Sequence, residues 1–142
     1  MIEATIQSEL SSAAGVAGVI AGRIYPQNIP QRGANRTNPV WPLIVYQAMG
    51  LKPDYHMTNV CEEAKVTIEF ECQSESYLTA KELANSVLAY FHKLTKESPK
   101  QLPGHWIESC FAEIQPDEFT SDISGKETGI HAVTVQAEIT FI

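Results

Sequence analysis

Ala64-Lys65-Val66-Thr67-Ile68-Glu69-Phe70-Glu71-Cys72-Gln73 places apolar residues at every even position and polar ones at every odd position. That is the two-residue period of a strand with one buried face. Four residues later the period lengthens, and Ala80, Leu83, Ala84, Val87, Leu88, Phe91 and Leu94 recur at steps of three and four. They form one stripe of a helix about 27 Å long at 1.5 Å per residue. Such a stripe needs a sheet face to lie on, and the even-numbered face of the preceding strand matches it in length. Ser76 is placed to serve as N-cap, while Lys93 and Lys96 complement the negative end of the helix dipole. The other strand face, with Thr67, Glu69 and Glu71, is left for water or a partner.

Working outward, the chain has 142 residues, 44% of them apolar, enough for one self-supporting domain over residues 1–142. No charged leader precedes an apolar core, and the longest near-apolar run, residues 13–21, contains two glycines and is too short to span a bilayer. We expect a soluble protein made in the cytosol, with no membrane contact. A net charge of −7 with only ten basic residues argues against a general nucleic-acid surface, which needs Lys and Arg to displace counterions from phosphates. Arg23, Arg32 and Arg36 lie close together in sequence, in a segment expected to be a solvated or subunit-contacting loop.

The N-terminus reads as a helix, with Ile2, Ile6, Leu10 and Ala13 or Ala14 at helical spacing, Glu3 at its positive end and Gly15 as its stop. Residues 16–22 read as a second short helix or turn. Residues 23–26 are extended, 27–42 a long Pro- and Asn-rich loop, and 43–50 a strand with both faces buried: Leu43, Val45 and Met49 on one, Ile44, Tyr46 and Ala48 on the other. Residues 53–59 read as a second loop, 95–104 as a polar connection and 106–114 as a strand parallel to the first. Residues 116–129 form a third polar loop. Val133, Val135, Ala137, Ile139 and Phe141 then alternate with Thr134, Gln136, Glu138 and Thr140 in a half-buried terminal strand. The expected class is α+β: a single two-layer domain with a mixed or largely antiparallel sheet of about four main strands, and the long helix and N-terminal helix packed on one face.

Catalytic patterns are missing. No serine lies in a G-x-S-x-G context, and Glu62 and Glu63 point to opposite faces of a strand, so they cannot share a proton. His56 to Cys61 and His105 to Cys110 repeat one spacing, which could offer two imidazoles and two thiolates to zinc. Zinc sites use closer spacing, and Cys72 and Cys110 fall in strands where cysteine acts as a small hydrophobe. We expect no metal, no cofactor, no disulfide framework and no enzyme activity. Two other classes stay open: a stand-alone ligand-binding α+β domain, and a metal-assisted enzyme built on His56, Glu62 and His105.

The order of segments is itself a signal. Val19-Ile20-Ala21-Gly22-Arg23-Ile24-Tyr25-Pro26, then Pro42-Leu43-Ile44-Val45-Tyr46-Gln47, then Ala64-Lys65-Val66-Thr67-Ile68-Glu69-Phe70 and a helix from near Tyr77, resembles the tail-completion or tail-terminator proteins of long-tailed bacteriophages and prophages. Thr128-Gly129-Ile130-His131 and the closing strand fit as well. The resemblance covers nearly the whole chain and rests on pattern and order. It implies a virion protein made in the host cytoplasm, with no cofactor and no covalent chemistry. It also implies a homo-oligomeric ring, a hexamer, that caps the tail tube, stops its polymerisation and joins it to a head-completion protein. DNA would pass through without specific binding, which suits an acidic chain. The surfaces expected to assemble are the strand face of Thr67, Glu69 and Glu71 and the two loops. Trp41, Asp54 and Tyr55 are placed on these loops with Arg32 and Arg36, the aromatic residues as anchors and the arginines as partners for acidic groups.

Overall fold

The two periods of residues 64–94 meet in space, with the rings of Phe70 and Phe91 5.3 Å apart and inclined at 42°. The structure, a computed structural model, describes residues 2–13, 16, 23–26, 41–55, 61–116, 118–121 and 129–142. Its elements are α1 (Ile2–Ser11), β1 (Ile24–Pro26), β2 (Leu43–Tyr55), β3 (Cys61–Ser74), α2 (Tyr77–Glu97), β4 (Lys100–Leu102), β5 (His105–Ile114), β6 (Glu118–Ser121) and β7 (Gly129–Phe141). This is the α+β arrangement expected, with one sheet and both helices on the same face.

The sheet has seven strands in the order β1-β2-β3-β7-β5-β4, with β6 also paired to β7. All ladders are antiparallel except β1 with β2. Since β3 and β5 both run antiparallel to β7, they run parallel to each other, as the return through α2 required. Ala132 of β7 pairs with Gln73 of β3 and with Glu118 of β6. So β6 lies on the β5 side of β7 and continues that strand past a break, where the Gln115 N–H still donates to the Thr134 carbonyl at 2.8 Å.

Several expectations are corrected. The sheet has seven strands where about four were expected, because short strands with polar or Pro/Gly-rich sequences carry no period long enough to detect. Residues 53–55 are not loop: Pro53 pairs with Ala64, Asp54 with Glu63 and Tyr55 with Cys61. Pro53 is tolerated because, among the described residues, β2 has no strand on its other side beyond Tyr46. Residues 118–121 form β6 within the expected third loop, and 100–102 form β4 within the expected connection. α1 ends at Ser11, short of Gly15, where the Ser11 and Ser12 hydroxyls donate back to the carbonyls of Gln7 (2.8 Å) and Ser8 (3.3 Å). Of the expected helix at 16–22, only Val16 is described, and it is buried. β2 is buried on both faces only at its start: Leu43 on one face and Ile44 and Tyr46 on the other are buried, while Met49, on the face of Leu43, is 53% exposed.

The core lies between the even-numbered face of β3 and the helices. Val66, Ile68, Phe70 and Cys72 meet Ala80, Leu83, Ala84, Val87, Phe91 and Leu94 of α2, and Val133, Val135, Ala137 and Ile139 of β7 extend the same surface. α1 adds Ile2, Ile6 and Leu10. Gln7 donates to the Ile24 carbonyl (3.2 Å) and accepts from the Tyr46 hydroxyl (2.7 Å), whereas Thr5 donates to the Pro103 carbonyl (3.3 Å). Thr5 and Gln7 are two residues apart, yet they touch opposite ends of the strand order. The sheet is therefore curled, concave toward its helices, and α1 ties the two ends together.

Candidate assembly surface

Because side chains alternate along strands, the strands that bury one face must present the other. Register places the outward residues in rows across the sheet. Val45, Glu71 and Thr134 form one row; Gln47, Glu69, Gln136 and Glu113 the next; Thr67, Glu138 and Phe111 a third; Lys52, Lys65, Thr140 and Ser109 a fourth. Met49 joins the third row from the bulge where β2 places two residues between Ala48 and Leu51 opposite Thr67 alone. No described helix lies on this side.

Carboxylates and amides dominate the face. Glu69, Glu71, Glu113 and Glu138 outnumber the lysines of the face, Lys65, which bridges Glu138 at 3.3 Å with both side chains half exposed, and Lys52, which pairs with Lys65 in the ladder. Gln73 donates to Glu71 (3.1 Å), and the Gln115 amide donates to Glu113 (3.1 Å) and Gln136 (2.9 Å). These links tie neighbouring side chains of the face to one another. The chemistry suits a polar wall or a hydrogen-bonding contact.

The residues singled out from sequence separate clearly. Thr67, Glu69 and Glu71 stand together on this face, half-buried among their cross-strand neighbours. Asp54 and Tyr55 belong to β2 rather than to a loop, in the ribbon where β2 and β3 run on past Ala64, the last β3 residue paired with β7. Trp41 precedes β2, half-buried, with its indole N–H enclosed and without a hydrogen-bond partner. Arg32 and Arg36 lie outside the described residues, as does His56. Glu62 is described only by its place in β3, and His105 rests edge-on against Phe141, ring centres 5.5 Å apart. Sequence reading missed Phe111 and Glu113, although Cys110 and Ala112 on the buried side imply an outward position for both. It placed Met49 on a buried face, and its exposure corrects that.

A second concavity lies between the helices, a groove of about 410 Å³ lined by Glu9, Ser12, Ala13, Ser86, Ala89, Tyr90, Lys93, Leu94, Glu97 and Lys100. The Tyr90 hydroxyl is enclosed without a partner. Burial, then Glu9, Cys110 and Glu97, push its pKa up. Lys100 bonds Glu97 at 2.6 Å and, chiefly through that bond, lowers the carboxyl's pKa. With both signs of charge and small side chains, the groove selects no ligand class.

Cys72 and Cys110 are buried free thiols. Burial pushes Cys72 upward, the charge of Glu71 adding to it, and pushes Cys110 up to about 11, partly offset by the Thr95 hydroxyl. Among the described residues no three His, Cys, Asp or Glu side chains are grouped to hold a metal ion, and no helix is long and apolar enough to cross a membrane.

No family model and no curated protein matches the chain. Among solved structures, the fold is similar to that of a chain in the virion of a native gene transfer agent particle, with a TM-score of 0.61, 11% sequence identity, and coverage of 97% of this chain and 92% of that one.

Proposed function

We propose that this chain is a structural protein of a phage-like virion, a tail terminator that assembles into a hexameric ring, ends growth of the tail tube and joins tail to head. The ring works by shape and contact, without a cofactor and without covalent chemistry. The observation that carries the proposal is the unpartnered sheet face, where Glu69, Glu71, Glu113 and Glu138 outnumber Lys52 and Lys65, on a fold similar along nearly its whole length to that of a virion chain. Turned inward around a ring, this face makes a channel wall that DNA slides past, because carboxylates repel phosphate and release no counterions from it. The tube protein and a head-completion protein are the neighbours above and below.

Absolute mass in solution and electron microscopy of particles test the proposal. A ring of about six times the 15.7 kDa chain is expected, and particles lacking the protein should carry overlong tails without heads. Tails of normal length, joined to heads in its absence, would refute the role.

A further inference from the structure

The exposed large apolar side chains are not spread evenly. Six are exposed among the described residues: Met49, Tyr77, Leu78, Trp106, Phe111 and Ile142. On the open face, the two inner strands β3 and β7 carry Thr, Glu, Gln and Lys within their ladder. Met49, 53% exposed, stands on β2, and Phe111, 68% exposed, stands on β5. These strands are the two margins of the four-stranded open face, and Met49 and Phe111 share the row of Thr67 and Glu138. About three strand spacings, roughly 14 Å, separate the two columns.

Among the described residues, the strand edges at this level are also uncovered. β1 lies beside β2 only at Ile44, Val45 and Tyr46, and β4 lies beside β5 only at His105, Trp106 and Ile107. Among the described residues, no strand covers 47–55 of β2 or 108–114 of β5 from outside. β1 and β4 sit at opposite ends of the face, so they prevent a full-length ladder between copies while leaving the Met49 and Phe111 level open between them. A gap one strand wide remains there, which two long apolar side chains can fill.

We infer that copies of this chain join margin to margin, the β5 side of one open face meeting the β2 side of the next, with Phe111 of one copy seated against Met49 of its neighbour. The inference rests on the ring proposed above. The contact uses two different surfaces of each copy, so it is head-to-tail, and it closes into a ring when the rotation per copy divides a full turn. Phe111 and Met49 supply the dry anchor, and Gln47 and Glu113, one row away on the same margins, form its polar rim. A second copy is favoured over a foreign partner because both halves of the contact are present on one chain at one level.

Cysteine pairing tests this directly. Two variants, Phe111→Cys and Met49→Cys, each also carrying Cys61→Ser, are mixed in equal amounts and treated with a short bis-maleimide, because a gap one strand wide sets the two backbones farther apart than a disulfide reaches. A covalent dimer across the two positions should form in the mixture and not with either variant alone. A chain carrying both changes should give a ladder of covalent oligomers that stops at the ring. Phe111→Asp should abolish the ring while leaving the circular dichroism spectrum and thermal midpoint of the subunit unchanged. Rings of full mass that give no Phe111–Met49 cross-link, or that survive Phe111→Asp, would overturn the margin contact and leave the ring itself standing. A parent chain that stays monomeric at every concentration and never cross-links would overturn both.

Discussion

Phe70 lies between Tyr46 and Phe91, at ring-centre distances of 6.1 and 5.3 Å, so it joins β2, β3 and α2 through one side chain. Phe70 and Phe91 are at most 1% exposed, and truncating either removes buried surface and leaves a cavity that the curled sheet cannot collapse. Phe70→Ala or Phe91→Ala should cost about 3–5 kcal/mol in urea denaturation; a neutral result would mean that the sheet and helix do not share this core. Cys110 gives a second residue-level expectation. Its folded thiol titrates at about 11, above the ordinary value of 9, so the unfolded chain loses its proton first. The contribution is fully present below pH 9 and is lost as pH rises through 11, an effect of about 2–3 kcal/mol. Cys72 and Tyr90 are shifted the same way, so Cys110→Ala should make the alkaline loss of stability shallower without removing it. An unchanged slope between pH 9 and 11 would show that Cys110 is not protected.

The elements divide by how much of their environment is written in their own sequence. β3, β7 and α2 each bury a regular stripe, and their positions were legible from period alone. Ser76 caps α2 as read, its hydroxyl oxygen accepting the Thr79 N–H at 3.5 Å, and the helix runs one turn past Leu94 to Glu97 because Thr95, Lys96 and Glu97 need no core contact. β4 and β6 were illegible: each is too short to show a period, although each pairs with the strand that follows it in the chain. The turn joining β4 to β5 shows the local cost of such a hairpin. Pro103 and Gly104 occupy its two central positions, and Gly104 has φ of +78°, the backbone that a type II turn demands after proline. A Cβ at Gly104 would meet no atom within 4 Å, so Gly104→Ala tests backbone preference alone. It should cost about 1–2 kcal/mol by thermal or chemical unfolding; no measurable loss would mean that the turn relaxes to another type.

At the scale of the whole molecule, the alternation of residues 64–73 announced an open face, but one strand could not show that four strands share it. Glu113 and Phe111 became part of the surface only through the register of β5 on β7, information that lies between segments rather than in them. The long segments read as binding loops were chosen by composition, and composition cannot distinguish a loop from the two-stranded ribbon that carries Asp54 and Tyr55. If the open face lines a channel for DNA, its sign of charge must matter to transit more than to folding. Thr67 and Glu69 stand on β3 between the Met49 and Phe111 margins, and neither takes part in the glutamine-to-carboxylate bonds of the face. Thr67→Lys adds a cation opposite Glu138, and Glu69→Lys sets one between Gln47 and Gln136, so neither buries an unpaired charge. The double variant should fold and form rings as the parent does, since surface changes away from packed or paired groups shift stability by about 0.5 kcal/mol or less. Particles built with it should then hold DNA at the ring, and DNA delivery should fall at low salt and recover as salt screens the lysines. Particles that deliver DNA at the parental rate at every salt concentration would place this face away from the channel, with the ring lined by some other surface.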